Sequence, residues 1–159
     1  MLRQGPQHLP ASPVLLTVAL VAYSLTSLAT GLAQLPAHQA LLAALLDTGL
    51  LLLLSYLVLW IRLLGKRWLQ TATAMAGSGT VVGALMMPLS YWQTVLSGTP
   101  MEAIPYLLLI GLLVWDLFIV GNILRHALDV PLLLGSALAG VYLYISLRIF
   151  YTLFVVTPR

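Results

Sequence analysis

The chain has 159 residues, of which 61% are hydrophobic and 7% charged, with a net charge of +3 and a mean hydropathy of +1.04. Water-soluble domains carry roughly 25% charged residues, so this chain lacks the polar surface such a domain needs. Most of the basic residues stand at the ends of apolar segments, which is no nucleic-acid signature, and the absence of cysteine excludes disulfides, thiolate chemistry and Cys-ligated metals.

A hydrocarbon core of about 30 Å needs about 20 helical residues, and five apolar segments are of that order. The first runs from Pro13 to about Leu35, opened by "SP" and closed by Pro36. Its "GLA" at 31–33 also resembles a small-x-small signal cleavage site, but the apolar stretch is long for a signal peptide and a retained span is expected. The second, 41–61, contains five consecutive leucines at 50–54. The third, 70–96, is the least regular, with Gly77, Gly79, Gly83 and Pro88; the proline suggests a kink that leaves a carbonyl one turn earlier unpaired. The fourth, 106–124, is opened by Pro105, and the fifth, 130–156, by Pro131. All are continuously apolar without strand-like alternation, so helices are expected rather than a barrel. The reading is an all-α membrane bundle of five transmembrane helices, one membrane domain over 1–159, with loops of about ten residues or fewer.

Charge sets an expected orientation. Arg3 precedes the first span, Arg62, Lys66 and Arg67 separate the second from the third, and Arg125 separates the fourth from the fifth. The alternate loops, "PAHQA" at 36–40 and "SGTPMEAIP" at 97–105, carry no Lys or Arg. This is the positive-inside pattern of an odd number of spans, with the amino terminus cytoplasmic and "TPR" at the carboxyl terminus external. Trp60, Trp68 and Trp92 fall near the expected boundaries, where amphipathic rings commonly sit.

Small residues four apart lie on one helix face and let backbones approach closely. Gly79 with Gly83, Ser136 with Gly140, and Ser27 with Gly31 have that spacing, for packing within the monomer or, on the sharper reading, for a homodimer face. Gly77-Ser78-Gly79 is no nucleotide loop, since neither a strand before it nor a following Lys-Ser/Thr is present. His8, His38 and His126 are scattered over different segments without metal-ligand spacing, and no Ser/His/Asp set can be placed at one depth. The expectation is a non-enzymatic protein without metal or cofactor.

Asp47, Asp116 and Arg148 are the ionisable residues inside the spans. At ~1.5 Å per residue from the external end, their depths come to about 9, 15 and 12 Å respectively. A charge at such depth is costly unless paired, so a cluster is expected, with Asp47 the favoured partner of Arg148 and Asp116 the alternative. The cluster reads as a buried ion pair fixing helix register, or as an ion or proton pathway; the remaining possibility is Arg148 snorkelling outward along Tyr151.

"RWLQTATAMAGSGTVVGALMMP" followed by "VWDLFIVGNILRHALDVPLLLGSALAGVYLYISLRI" resembles small proteobacterial inner-membrane proteins, which are in turn similar to the bacterial Yip-domain (Ypt-interacting-protein) superfamily. The resemblance rests on Leu69, Gln70, Thr71, Thr73 and Ala74, and on Trp115 with Gly121, Asn122, Ile123, Leu124, Arg125, His126, Ala127 and Leu128. It covers about the second half of the chain and implies five spans in an inner membrane. The eukaryotic relatives act in membrane traffic through GTPases, but this chain lacks their long cytoplasmic amino-terminal region, so that role is not implied.

With function confined to the spans, the favoured expectation is a scaffold or accessory subunit of a bacterial inner-membrane complex. Its partners would be the lipid bilayer and another membrane protein or a second copy, not nucleic acid. The alternative is a small transporter or proton/ion-pathway component using Asp47, Asp116 and Arg148. A polar cavity reaching Asp116 would separate the two, because a scaffold should be closed there.

Overall fold

Four of the five helices among the described residues start beside a residue that satisfies, or does not own, one of the unpaired N–H groups at a helix start. In the computed structural model, which describes residues 11–156, α1 (Pro13–Gly31) begins with Ser12 accepting the Leu15 N–H and Pro13 at the first helical position. The other helices are α2 (Ala37–Ile61), α3 (Trp68–Leu96), α4 (Ala103–Leu128) and α5 (Leu132–Tyr151), the last continuing as a π-helical turn over Thr152–Val156. Among the described residues, five helices are long and apolar enough to cross a membrane, which makes this a multi-pass membrane bundle. Arg3, His8 and the terminal "TPR" lie outside the described residues.

The helix limits depart from the sequence expectation in ways that proline and glycine chemistry explains. α1 ends at Gly31 rather than near Leu35, and residues 32–35 form turns that return N–H groups to Leu28, Thr30 and Gly31. The "PAHQA" segment is mostly helix, because Pro36 caps α2 and Ala37 already belongs to it. Pro105 does not open α4 but sits in its first turn, where its missing N–H would have had no partner. At the other end α4 extends through Arg125 and His126 to Leu128, so the basic residues occupy its last turn rather than a loop. Pro88 stands inside α3, which is assigned as one helix through it.

Two of the connections close by the same device. Leu63 after α2 and Asp129 after α4 are left-handed, with φ of 57° and 53°. The following N–H groups, of Leu64 and Val130, donate back to Leu59 O and Arg125 O at 2.8 and 3.1 Å. These two turns lie at one end of the bundle, where Arg67 bridges them by donating to Asp129 Oδ2 at 2.7 Å and to Ala127 O at 3.2 Å. We call this the basic end. At the opposite end, Thr94 of α3 donates to Ala33 O in the α1–α2 turn, and Glu102 accepts the N–H of Gly98.

α3 is central, packing on α1, α2 and α4, while α4 packs on α5, and α2 touches both α1 and α5. The apolar core fills the half of the bundle nearer the basic end. It joins Leu51 and Leu59 of α2, Met75 of α3, Val120, Leu124, Ala127 and Leu128 of α4, and Ala139 of α5. Large apolar side chains such as Val14, Val18, Leu25, Leu45, Leu53 and Phe118 point outward, as a surface solvated by lipid tails requires. Hydroxyls inside the spans are returned to the preceding turn, as Thr71 to Arg67 O, Thr73 to Leu69 O and Thr80 to Ala76 O.

With lipid as solvent, helix association leans on close packing. The tightest contact is between α4 and α5, at Gly121 and Gly135. A Cβ on Gly121 would stand 2.9 Å from Ser136 Cα, and one on Gly135 would run into Gly121 O and lie 3.0 Å from Arg125 N. Ser136 therefore packs as its spacing suggested, but its expected companion Gly140 does not, since a Cβ there meets nothing within 4 Å. Gly135, one residue before Ser136, takes that role because it faces α4 directly.

Two outcomes follow for stability in mild detergent, read as thermal unfolding. Gly135→Ala should cost ~1–3 kcal/mol by overpacking, whereas Gly140→Ala should be neutral or stabilising by up to about 1 kcal/mol. Leu63 is 90% exposed, so Leu63→Gly gives up no core contact; relief of the left-handed backbone should raise stability by about 0.5–1 kcal/mol.

Candidate functional site

On α2 the buried positions are Ala40, Ala44, Leu51, Ser55 and Leu59, a repeat of three or four residues that Asp47 continues. Asp47 is therefore aimed into the bundle. Because α2 begins at Ala37, the carboxylate is about 15 Å along the helix rather than about 9 Å. Its partners come from α1. Tyr23 Oη donates to Asp47 Oδ2 at 2.7 Å and Ser27 Oγ at 3.1 Å, and one turn away Ser24 and Thr48 hydroxyls meet at 2.8 Å. The Tyr142 hydroxyl of α5 lies beside that of Tyr23.

Gly79 makes this arrangement possible. A Cβ on it would lie 2.5 Å from Cε2 and 2.9 Å from Cδ2 of Tyr23, so only glycine lets the ring lie against α3 with its hydroxyl at Asp47. One turn on, Gly83 faces Thr26, and a Cβ added there would stand 3.1 Å from the threonine hydroxyl oxygen. The two glycines thus form the α1–α3 contact inside the monomer. Gly31 faces Ala40, whose Cβ would lie 3.4 Å from a Cβ added at the glycine, so the end of α1 lies close to the start of α2.

Asp116 continues the inward seam of α4 formed by Val120, Leu124 and Ala127. Its Oδ1 atom is buried and has no hydrogen-bond partner among the described residues. Asp47 and Asp116 line one cavity of about 370 Å³. It extends from Leu51, Met75 and Val120 at mid-depth to Gln34, Leu35 and Phe154 at the end away from the basic loops. Tyr23, Ser27, Tyr142 and Ser146 supply its other polar groups, and Leu46, Leu50, Met86 and Phe150 much of its wall.

Arg148 does not join this cluster, which corrects the expected Asp47–Arg148 pair and its Asp116 alternative. On α5 the inward positions are Gly135, Ala139, Tyr142, Ser146 and Ile149. Arg148 is two residues, about 200° around the helix, from Ser146. It is exposed on the stripe of Tyr144, Leu147 and Tyr151, and makes no ion pair with either carboxylate. That outer face is the one the snorkelling alternative requires.

Tyr23 and Tyr142 join the site although neither charge nor motif singles them out. The signal was present, since each falls on a seam of small or polar residues at helical spacing, Tyr23-Ser27-Gly31 on α1 and Gly135-Ala139-Tyr142-Ser146 on α5. His126 bonds Asn122 O within α4 near the basic end, whereas His38 starts α2 at the other end. Among the described residues, no group of three His, Cys, Asp or Glu could hold a metal ion. Comparison with protein-family models, with curated proteins and with solved structures found no match to this chain.

The site predicts a specific contrast in stability. Tyr23→Phe removes a donor from a buried carboxylate and should cost ~1–3 kcal/mol, while Arg148→Gln should change stability by no more than about 0.5 kcal/mol. A double-mutant cycle of Asp47→Asn with Tyr23→Phe should show coupling, and one with Arg148→Gln should be additive.

Proposed function

We propose that this chain is a non-enzymatic protein of the bacterial inner membrane that admits a small ligand or ion to a one-sided intramembrane cavity. It would act as a small transporter or proton/ion-pathway component built on Asp47 and Asp116. The observation that carries this reading is the cavity itself, which reaches Asp116 and brings both carboxylates to one surface. Intramembrane carboxylates are costly to bury and characteristically serve substrate or ion paths. The other half of the bundle is packed by Leu59, Leu124, Ala127, Leu128 and Ala139, so access is from one side only. The basic residues cluster beside that packed end, which supports a cytoplasmic closed end and an external cavity mouth. The layout is compatible with the Yip-like resemblance, which supports an inner-membrane location without suggesting an activity.

A second reading, a scaffold or accessory subunit of a membrane complex, draws support from Arg148. An exposed arginine flanked by Tyr144, Leu147 and Tyr151 is a surface that a partner helix or a second copy could cover.

Water access separates the two, and the chain's lack of cysteine makes it directly measurable. Thr30→Cys and Ser146→Cys, both on the cavity wall, should react with a membrane-impermeant thiol reagent from the external side of oriented vesicles. Ala127→Cys and Ala139→Cys, in the packed half, should not react from either side. Unreactive cavity cysteines would leave the scaffold reading standing alone. Reaction from the cytoplasmic side would invert the proposed orientation and keep the cavity.

A further inference from the structure

We infer that the occupant of this cavity is a lipophilic monovalent cation, an ammonium or equivalent charge on an apolar body. The inference rests on the cavity reading above and names its ligand. Charge comes first. Asp47 and Asp116 both line the cavity, and among the described residues no Lys, Arg or His does, Arg148 being turned outward. The site therefore offers negative charge without an internal counter-ion, and an anion would meet two carboxylates.

Satisfaction comes second. Asp47 is held by two hydroxyl donors, so its orientation is set before a ligand arrives. Asp116 Oδ1 is buried without any donor among the described residues, although a buried acceptor left unpaired is costly. A cationic donor entering from the cavity supplies what the protein does not.

The walls decide the rest. A small hydrated metal ion needs several oxygen ligands, and a divalent ion would need a richer set than the two carboxylates present. Leu46, Leu50, Met86, Phe150 and Phe154 instead offer apolar surface, and the rings of Tyr23 and Tyr142 offer faces that attract an organic cation. About 370 Å³ lies within the range of roughly 300–1,000 Å³ typical of small-molecule sites.

Tetraphenylphosphonium tests this, with tetraphenylborate as a probe of the same shape and opposite charge. The full chain in phosphatidylglycerol nanodiscs should bind tetraphenylphosphonium saturably and discriminate against tetraphenylborate at least tenfold. Asp116→Asn should weaken binding at least tenfold, and Arg148→Gln should leave it unchanged. Tetraphenylphosphonium should also protect Ser146→Cys from the thiol reagent, a readout that needs no carboxylate variant to fold. Repeating the titration with phosphatidylethanolamine in the disc separates two sources of the same chemistry: weaker binding points to the lipid's own ammonium headgroup, unchanged binding to a free amine. Equal binding of both probes, or full affinity in a folded Asp116→Asn variant, overturns the inference. If Thr30→Cys and Ser146→Cys label but tetraphenylphosphonium neither binds nor protects, the ligand class fails and the cavity reading survives. If they do not label at all, both fail.

Discussion

A carboxylate inside a membrane must find donors, and Asp47 finds them on α1. That requirement organises the half of the bundle away from the basic end. Tyr23 can reach Asp47 only because Gly79 leaves space for its ring, and the same approach lays α1 along α3. One polar interaction therefore couples α1, α2 and α3, where apolar burial alone gives little specificity because lipid tails are as apolar as leucine. Tyr142 extends the polar group to α5.

The opposite half is built differently. There the Gly121–Gly135 contact brings α4 and α5 together, and leucine, valine, methionine and alanine side chains fill the space between the helices. Arg67 fastens the two turns at that end, bonding both the Asp129 carboxylate and a carbonyl at the end of α4. The exposed ion pair contributes little energy by itself, ~0–1 kcal/mol, but it ties together turns far apart in sequence. A packed end and a hollow end are the asymmetry a one-sided binding site requires. The hollow end cannot simply collapse, because its wall carries two carboxylates that apolar neighbours would strand.

Much of the membrane architecture was legible because the bilayer imposes it. Segment length and continuous hydropathy announce five spans, and prolines mark the starts of the first, fourth and fifth to within a few residues. Boundaries moved where local chemistry was subtler than the rule used. Pro105 is tolerated within a first turn, and Asp129 closes α4 in a left-handed conformation that hydropathy does not signal. The spacing of small residues located Gly79, Gly83 and Ser136 on packed faces, yet it could not distinguish Gly135, which is clasped, from Gly140, which touches nothing.

Hydropathy by itself determined that the chain belongs in a membrane, as five helices with charged residues held at some depth within them. Tertiary structure alone decided which charges face one another. Depth along a span follows from counting residues, at ~1.5 Å each, but direction around a helix turns by about 100° per residue and has meaning only relative to neighbouring helices. Arg148 has a suitable depth but the wrong face, since Ser146 and Tyr142 point inward and the arginine does not. Asp47 and Asp116 share a cavity for the complementary reason. Each continues the buried seam of its own helix, and packing sets those two seams opposite one another.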